Sequence, residues 1–494
     1  MTTTLKSLAD IRRHFAQSDI PHYFVSATNF NLMGMHDWVK NWHNINLIDC
    51  YDGQHPRVLM IEDDHARVFE SIEDITLYLL NHHKTQDLFA RHTEQSRARA
   101  IFLFFDEQIE ALCAALNLDI ALPKNSVVRE IDSKIVTTEL GNEAGVHSVP
   151  NVLAKVSSYA ELQRIARAAG LGERLVVQTA YGDSGKTTFF IAREVDYQQA
   201  AKAIEREDRV KVMRWVNCTG TAIEACATRW GTFVGPLLTE LIGIPELTPY
   251  PGGWCGNELY DAAFSAEVRR QVQEKTEALG NALYRRGYRG YFELDYLIDQ
   301  DSDEVYLGEL NARITGISAM TNMADFSSAQ VPLFLFHLLE YDPAIDLQMD
   351  VAAFNQAVLA DGAAGTAAQV ILKYTDAPLK IITAAPVSGV YVKGDDGRLT
   401  LQRASTHRRE ALAENQAYIL RIMNTGEYAY KGGDLAIMFV NQIIRRPTGG
   451  LNQAGAQWIT ALKDCFSFRQ LTQEERSAVE LANNPANIKS GRTS

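Results

Sequence analysis

The stretch GYFELDYLIDQDSDEVYLGELNARITG, residues 290–316, decides how the rest of the 494-residue chain is interpreted. Two apolar runs, YFELDYLI and VYLGEL, flank the acidic segment QDSDE, and this pattern predicts two antiparallel strands joined by a turn. Because side chains alternate along a strand, Asp295, Glu309 and Asn311 are expected on one face of the hairpin. Two carboxylates and an amide oxygen are hard ligands that suit Mg²⁺ or Mn²⁺, so the sequence predicts a metal site here.

Arg313 follows Asn311 by two residues, and its guanidinium would reach the same pocket, where it suits a phosphate or a carboxylate. Glu293 competes with Asp295 for the role of the first metal carboxylate. An ordinary hairpin whose acids face solvent is the alternative interpretation. The E-x-N-x-R pattern after an apolar strand favours the metal site, because convergent polar groups are typical of active sites.

A second informative segment is RLVVQTAYGDSGKTTFFIA, residues 174–192. Its glycines and small residues would let backbone N–H groups turn toward phosphate oxygens. The residues expected to form this cradle are Gly182, Ser184, Gly185, Lys186, Thr187 and Thr188. The sequence is close to that of a Walker A loop, but Ala180 replaces the first glycine. In addition, FFIA predicts a strand where a P-loop requires a helix. We therefore predict a hairpin loop that closes over a triphosphate, with an ordinary turn as the alternative.

The wider pattern predicts a multidomain chain of α/β and α+β class. Strands such as PHYFVSATNF, INLIDCY, RVLMIED and ARAIFLFF alternate with helices before residue 125, which predicts a parallel sheet. Closely spaced strands from residue 126 onward predict a mainly antiparallel layer, and the tail is rich in short strands and turns. We expect an N-terminal α/β domain at 1–125, a central domain at 126–345 with a lid at about 176–205, and a C-terminal α+β domain at 346–494.

Composition and charge exclude several classes of protein. The formal net charge of −13 disfavours nucleic acid and anionic membranes as partners. The sequence shows neither an apolar signal core nor an 18-residue apolar run, so we expect a cytoplasmic protein. The six cysteines are scattered without metal-binding spacing, which predicts reduced thiols and no zinc site. A homodimer is possible, since homodimers are common among such enzymes.

The order of these features resembles the ATP-grasp superfamily, and most of all its biotin carboxylase branch. A lysine, Lys134, opens the helix in SKIVTTELGNEAGVHSVP; a strand–glycine loop–strand follows, then a strand with an acid, then the E-x-N-x-R hairpin. The resemblance covers about residues 20–450. It implies an ATP-grasp fold with a Rossmann-like N-terminal domain and a strand-rich C-terminal domain, and an ATP- and magnesium-dependent ligase activity.

The resemblance also implies roles for individual residues. Lys134 would contact the nucleotide phosphates, and the acid of TAIEACAT, Glu224, would hold the ribose hydroxyls or orient the site. The hinge whose backbone recognises adenine would be Met213, Arg214, Trp215 and Val216. Arg313 and Lys186 would act on the anionic acyl group and phosphates. Gln178 departs from the family, which has a second phosphate-binding lysine at that position, and Lys186 could compensate for it.

The function implied is amide or peptide bond formation between a carboxylic acid and an amine through an acyl phosphate. An amino acid or small peptide is the expected acid. The segment PYPGGWCGNELY, with Tyr250, Trp254 and Cys255, would carry substrate specificity, or would be a packed surface loop. Two alternatives stay open: bicarbonate activation as in biotin carboxylase, disfavoured because residues 231–254 carry no Lys, Arg or His, and a degenerate ATP-binding regulator, favoured by Gln178.

Overall fold

The computed structural model describes residues 2–62, 69–91, 97–182, 187–323, 331–360, 365–411 and 413–482. The chain divides into two compact units, one made of Met1–Leu241 with Gly256–Ala368, the other of Ile242–Cys255 with Gln369–Ser494. The three domain boundaries expected from the sequence remain predictions. Within the described ranges, no helix is both long and apolar enough to cross a membrane.

The first unit begins with a parallel sheet between helices. In chain order the elements are β1 (Thr3–Leu5), α1 (Leu8–Gln17), β2 (His22–Val25), β3 (Trp42–Asn46), β4 (Val58–Met60), α2 (Ile72–Asn81), α3 (His83–Ala90), β5 (Arg99–Phe102), α4 (Glu107–Ala115) and β6 (Asp119–Ile120). The sheet order is β4-β3-β2-β5-β6, and every neighbouring pair is parallel. Tyr23 and Phe24 pack into different cores, so both faces of the sheet are buried. The predicted α/β organisation is confirmed.

The strand predicted in INLIDCY is wrong at its carboxyl end, because β3 stops at Asn46. The carboxylate of Asp49 accepts hydrogen bonds from the backbone N–H groups of Tyr51, at 2.8 Å, and Gly53, at 2.9 Å. Aspartate side chains that bond the backbone this way stabilise turns instead of strands. The local side chain therefore ended the strand earlier than its apolar letters indicated.

A smaller antiparallel sheet follows in the same unit. Its elements are α5 (Asn125–Ile131), α6 (Lys134–Glu143), β7 (Asn151–Ala154), α7 (Tyr159–Ala168), β8 (Leu175–Gln178), β9 (Thr188–Ile191), α8 (Glu194–Glu205) and β10 (Val210–Arg214). The strand order is β7-β10-β8-β9. Val177 and Val212 join a core with the apolar residues of α7 and α8. Since side chains alternate, the neighbouring residues Gln178 and Lys211 lie on the opposite face of this sheet.

The third part of this unit is a larger sheet with the longest helix packed against it. Its elements are β11 (Cys218–Thr228), β12 (Gly231–Ile242), β13 (Trp254–Leu259), α9 (Ala266–Arg285), β14 (Gly290–Asp299), β15 (Val305–Asn311), α10 (Ser318–Met323), α11 (Phe334–Glu340), β16 (Ile345–Leu347) and α12 (Val351–Leu359). The strand order is β15-β14-β11-β12-β13, with antiparallel pairing of β12 to β11, β11 to β14 and β14 to β15. Strand β1 pairs in parallel with β16.

The second unit is rich in short strands, as predicted for the tail. Its elements are β17 (Ala367–Lys373), β18 (Lys380–Ala384), β19 (Gly389–Lys393), β20 (Leu399–Ala404), β21 (Gln416–Arg421), β22 (Tyr428–Ala429), β23 (Asp434–Val440), α13 (Gln453–Lys463), β24 (Ser467–Gln470) and α14 (Gln473–Ala482). They form one sheet in the order β17-β23-β21-β19-β20 and another in the order β22-β18-β24. Trp458 of α13 is fully buried.

The start of β14 is fixed by a close contact between Gly290 and His337. Gly290 has φ +91°, and a Cβ atom there would lie 2.3 Å from the Nδ1 of His337. That Nδ1 accepts the N–H of Tyr291 at 3.0 Å, and the ring's Nε2–H donates to the carbonyl of Ala121 at 2.7 Å. Burial lowers the pKa of His337 to about 4, so the ring is neutral and can make both bonds. The imidazole therefore positions the strand that carries the acids.

We predict that Gly290→Ala destabilises the protein by about 2–4 kcal/mol, because a positive φ disfavours alanine and the new methyl group collides with His337. Gly287→Ala is the matched control: Gly287 also has a positive φ, +99°, but no atom lies within 4 Å of its would-be Cβ. The control should cost only about 1 kcal/mol. Urea unfolding measures both changes, and equal losses would contradict the proposed contact.

Candidate active site

The central hairpin brings the predicted acids onto one face of the larger sheet. Asp295 lies opposite Glu309, and Glu293 lies opposite Asn311, with an irregularity in the pairing just after Asp295. Directly opposed residues of antiparallel strands point to the same side. On the next strand Glu224 is opposite Glu293, so it shares this face. The hairpin predicted from the sequence is therefore confirmed, and its acids converge.

Lys134 connects this hairpin to the glycine loop. As the first residue of α6 it is nearly buried, and its ammonium donates to the carboxylate of Glu309 at 2.7 Å and to the carbonyl of Gly182 at 2.9 Å. Its backbone N–H also donates to the carbonyl of Ala180, at 2.8 Å. Three segments that are far apart in the sequence thus meet at one ammonium group.

Asn311 and Arg313 continue the polar row. The amide Nδ2 of Asn311 donates to a carboxylate oxygen of Asp295 at 3.4 Å, while its Oδ1 accepts from the guanidinium of Arg313 at 3.1 Å. The same guanidinium stacks 4.8 Å above the ring of Phe104. For the Oδ1 of Asn311 to bind a metal beside Asp295, the side-chain amide would have to rotate by half a turn, which exchanges the positions of its oxygen and nitrogen.

The acids of this face are too crowded and too buried for the protein's own cations to keep all of them ionised. Burial, together with the carboxylates of Glu293, Glu240 and Glu309, raises the pKa of Asp295 well above its usual range. Burial and then the charge of Glu224 raise the pKa of Glu293 to about 8, against the opposing effect of Arg313. Oxygen ligands of this kind, crowded and short of cations, fit a hard divalent metal ion.

Glu224 lies deeper than its predicted role requires. Its carboxylate is fully buried and accepts hydrogen bonds from the hydroxyls of Tyr291 and Ser318, and from Thr315 at 3.2 Å. Burial raises its pKa to about 7. Because the protein's own hydroxyls occupy this carboxylate and Glu224 anchors the turn that follows Arg313, the geometry favours the second predicted role, orienting the site, over the ribose contact. Both roles remain predictions.

The glycine loop joins two antiparallel strands, β8 and β9, as predicted. A strand therefore follows it, beginning at Thr188, and this excludes the P-loop interpretation. Gly182, with φ +148°, packs against the side chain of Thr187, and Gln178 donates from Nε2 to the hydroxyl of Thr188 at 3.1 Å. The predicted phosphate contacts Ser184, Gly185 and Lys186 lie outside the described residues.

The predicted adenine hinge lies at the end of β10. Met213 is buried within the strand, and the chain leaves the sheet after Arg214. The N–H of Arg214 donates to the carbonyl of Pro150, and the N–H of Trp215 donates to that of Arg174, both at 3.0 Å. These two donors are thus already used within the protein. Adenine recognition at this hinge would fall to the carbonyl groups and to the N–H of Val216.

A cavity of about 360 Å³ lies beside Arg313 in the first unit. Its walls combine aromatic and aliphatic side chains with polar ones, among them Asn125, whose Oδ1 is buried without a hydrogen-bond partner among the described residues. The aromatic lining residues are Phe102, Phe104, Phe105, Tyr288 and Tyr291, and the carboxylates are Glu73, Asp106, Glu107 and Asp132. Sequence analysis missed this cavity, because its walls come from strand ends and turns that no single motif connects.

Sequence analysis also missed Lys211, a fully buried lysine on β10 directly opposite Gln178. A signal was available: Lys211 alternates with Val210 and Val212, which places it on the face away from the apolar core. The sequence does not show the register of β10 against β8, which places Lys211 opposite Gln178.

The predicted specificity residues Tyr250, Trp254 and Cys255 belong to the second unit. Tyr250 is 49% exposed, and its hydroxyl lies 3.4 Å from the carbonyl of Lys431. Trp254 begins strand β13, so the segment taken for a long loop is half strand. Cys255 is buried, which raises its pKa to about 11 and makes it a poor nucleophile. A substrate role for these residues remains a prediction.

Known proteins were compared with this chain by sequence and by structure. No protein-family model matches the chain. A curated relative, the [butirosin acyl-carrier protein]–L-glutamate ligase of Niallia circulans, is 22% identical over 219 residues, which are 44% of this chain and only 51% of that relative. The chain therefore spans about half the length of this relative.

Solved structures match over most of the chain. The biotin carboxylase domain of 2-oxoglutarate carboxylase from Hydrogenobacter thermophilus, in complex with MgADP, ADP and bicarbonate, has a TM-score of 0.56, 12% identity and 96% coverage of both chains. The biotin carboxylase of Campylobacter jejuni has a TM-score of 0.54 and 12% identity, covering 96% of this chain and 97% of its own. The N5-carboxyaminoimidazole ribonucleotide synthase of Aspergillus clavatus, with ADP and its ribonucleotide, has a TM-score of 0.53 and 12% identity, covering 93% of this chain and 99% of its own.

The resemblance predicted from the E-x-N-x-R hairpin, the glycine loop and Lys134 is thereby confirmed in the fold. This chain has the fold of the ATP-grasp ligases, with biotin carboxylases and N5-carboxyaminoimidazole ribonucleotide synthases among its structural neighbours.

Proposed function

We propose that the chain is an ATP- and magnesium-dependent carboxylate–amine ligase that forms an amide or peptide bond through an acyl phosphate. The observation that carries this proposal is the convergence of Asp295, Glu309 and Arg313 with Lys134 on one face. The group combines two carboxylates for a cation with two cationic side chains for anions. Such a set suits the transfer of a phosphoryl group to an acid, because that step needs positioning and charge neutralisation.

In this proposal Asp295 and Glu309 hold magnesium, with Asn311 as a third ligand once its amide is turned. Magnesium, when bound, would neutralise part of the charge of the phosphates. Lys134 would exchange its bond with Glu309 for one with the nucleotide phosphates. Because Lys134 also holds the carbonyl of Gly182, this exchange would act directly on the loop expected to cover the phosphates and exclude water.

Arg313 would bind the carboxylate of the acid substrate, and the neighbouring cavity would hold its body. A volume of about 360 Å³, with walls that combine aromatic, aliphatic and charged side chains, suits an amino acid or a small peptide. The buried Oδ1 of Asn125 would accept a hydrogen bond from such a substrate. The relative from Niallia circulans, an L-glutamate ligase, supports an amino acid as one of the reactants.

The amine must attack the activated acid where water is excluded. The nature of the amine, a cytoplasmic location and a homodimer stay predictions. Bicarbonate activation is the second candidate, since the structural neighbour from Hydrogenobacter thermophilus is a biotin carboxylase domain with bicarbonate.

The decisive experiment measures ADP and phosphate release from Mg-ATP across a panel of amino acids, short peptides and bicarbonate, each with and without candidate amines. Mass spectrometry would identify the products. A product lighter by one water than its two parents supports the proposal. Turnover that requires bicarbonate and biotin would move the chain to the carboxylases, and tight Mg-ATP binding without turnover would favour a regulator.

We predict that Glu309→Gln lowers turnover by about a hundredfold or more, because it removes a metal carboxylate and the partner of Lys134. The protein should remain folded, which circular dichroism would verify. Glu304→Gln is the matched control at the far end of the same hairpin, where an exposed glutamate pairs with Lys275. Near-normal turnover in Glu309→Gln, or equal losses in both variants, would contradict the assigned role.

We predict that Arg313→Ala raises the KM for the acid by about tenfold or more, because a charge-assisted hydrogen bond is lost, while the Kd for ATP changes little. Arg313→Lys should recover only part of the effect, because an ammonium lacks the two-pronged geometry of guanidinium. Arg286→Ala, which removes a surface ion pair with Glu130, serves as the control. Initial rates and calorimetry separate the two parameters; weaker ATP binding alone would oppose the assignment.

We predict that, without metal, the free energy of unfolding of the Glu293→Gln variant increases relative to that of the unaltered protein as pH rises from about 5 to 8. The pKa of Glu293 is raised from 4.5 in the unfolded chain to about 8 in the folded protein, so the folded state binds this proton more tightly. Proton binding by Glu293 therefore stabilises the unaltered protein at low pH, and this stabilisation is lost as pH rises through that range. Taking the difference between the two proteins cancels the opposite effect of buried histidines such as His337. Urea unfolding at pH 5.5, 7 and 8.5 with a chelator measures it; a difference independent of pH would disprove the assignment.

A further inference from the structure

Lys211 is a buried cation that the roles proposed so far do not use. Its side chain is 1% exposed, and burial lowers its pKa to about 7. Its ammonium donates to the hydroxyl of Ser148 at 3.0 Å, a neutral partner. In the described part of the chain no carboxylate lies within 4.0 Å of this ammonium. A buried lysine with three donors and a single neutral partner is costly, and it is rarely kept without a reason.

The position of Lys211 points its side chain toward the proposed nucleotide site. Val210 and Val212 pack into the core beneath α7 and α8, so Lys211 lies on the other face of the four-stranded sheet. Its charge interacts favourably with Glu309 and unfavourably with Lys134. Lys211 therefore lies within electrostatic range of Lys134 and Glu309, the pair that joins the hairpin to the glycine loop.

Gln178 occupies the paired position on the neighbouring strand. The register places it directly opposite Lys211, and its Nε2 bonds to Thr188. Its Oε1 is buried without a hydrogen-bond partner among the described residues. Among the described residues, the pair thus presents one lysine without an ion-pair partner and one unused polar atom, on the face where β8 leads into the loop. A ligand that carries negative charge and can also donate or bridge through water would complete this arrangement.

We propose that Lys211 binds the phosphate groups of the nucleotide from β10, and that it supplies the positive charge that Gln178, directly opposite on β8, does not. This inference rests on the proposed function and adds a binding residue to it. Lys134 and Lys211 would contact the polyphosphate from two sides. The ligand class is a nucleoside di- or triphosphate, because two ammonium groups need more than one negative charge to balance them.

A purely structural lysine would behave differently from a phosphate-binding one. Replacing a desolvated cation with a neutral side chain of similar length should maintain or raise stability without ligand. A structural role in the Ser148 contact would instead make the same replacement destabilising. Stability without ligand and affinity for phosphate therefore separate the two explanations.

The test compares Lys211→Gln with the unaltered full-length protein by calorimetry and thermal unfolding, using ATP, ADP and adenosine, each with Mg²⁺. We expect the Kd for ATP and ADP to rise by about tenfold to a hundredfold, the range for a charge-assisted hydrogen bond. Binding of adenosine, which lacks phosphate, should change little. The melting temperature of Lys211→Gln without ligand should stay unchanged or rise, and the increase in melting temperature that ATP causes should be smaller than in the unaltered protein.

Three further variants sharpen the test. The exchange Lys211→Gln with Gln178→Lys returns one ammonium to the same cross-strand pair and should recover most of the lost ATP affinity. Lys155→Gln is the matched control, since its exposed ammonium bonds the carbonyls of Glu205 and Glu207 and should not affect nucleotide affinity. If Lys211→Gln proves unstable, Lys211→Met offers the same loss of charge with an apolar chain.

Unchanged ATP affinity in Lys211→Gln, while the unaltered protein binds ATP, would overturn this inference and leave the proposed function intact. Equal weakening of ATP and adenosine would also overturn it, because the effect would not depend on phosphate. Failure of the unaltered protein to bind any nucleotide would overturn both proposals. Selective weakening with ATP and ADP, recovered by the exchange variant, would establish Lys211 as a phosphate-binding residue.

Discussion

The ammonium of Lys134 holds the candidate site together. It bonds Glu309 on β15 and the carbonyl of Gly182 in the loop after β8, and its own backbone bonds Ala180. These partners lie between 46 and 175 residues away along the chain, so no local pattern could keep them in place. Because the group is nearly buried, losing one partner would leave a charge without compensation. The hairpin, the helix start and the loop are therefore held as a single arrangement.

The remaining polar network extends from this point in two directions. On one side, Asp295, Asn311 and Arg313 form a chain of hydrogen bonds that ends at the aromatic cavity. On the other side, the carboxylate of Glu224 accepts hydrogen bonds from the hydroxyls of Thr315 and Ser318 in the turn after Arg313. These bonds fix the backbone that follows Arg313. The acids proposed as metal ligands and Glu224 therefore lie on one sheet face but at different depths. Depth, more than residue type, separates their proposed roles.

Much of the fold could be predicted because the decisive signals are local. The hairpin at residues 290–311, the strand–loop–strand at 175–191 and the helix after Ser133 are each contained in a short continuous segment with clear periodicity. The parallel sheet followed from alternating strands and helices. Errors arose at Asp49, whose side chain bonds the turn after β3, and at residues 254–259, which form a strand inside an expected loop.

The less predictable part of the site depends on register and burial. Lys211 and Gln178 are 33 residues apart, and only the pairing of β10 with β8 shows that they share a position. The ribose role of Glu224 was implied by the family resemblance, and strand alternation gives the side on which a residue lies but not its depth. The aromatic cavity is assembled from turns that lie about 200 residues apart, such as those holding Phe104 and Ile314. Long-range packing decides such features, and a single sequence carries little information about it.

The contact between Gly290 and His337 also constrains how this chain can have diverged. The imidazole must accept from one N–H and donate to one carbonyl while leaving no room for a methyl group at residue 290. Related chains that keep histidine at this place should therefore keep glycine opposite it, and those that gain a side chain there should have lost the ring. The two positions, 47 residues apart, are expected to have changed together in evolution or not at all.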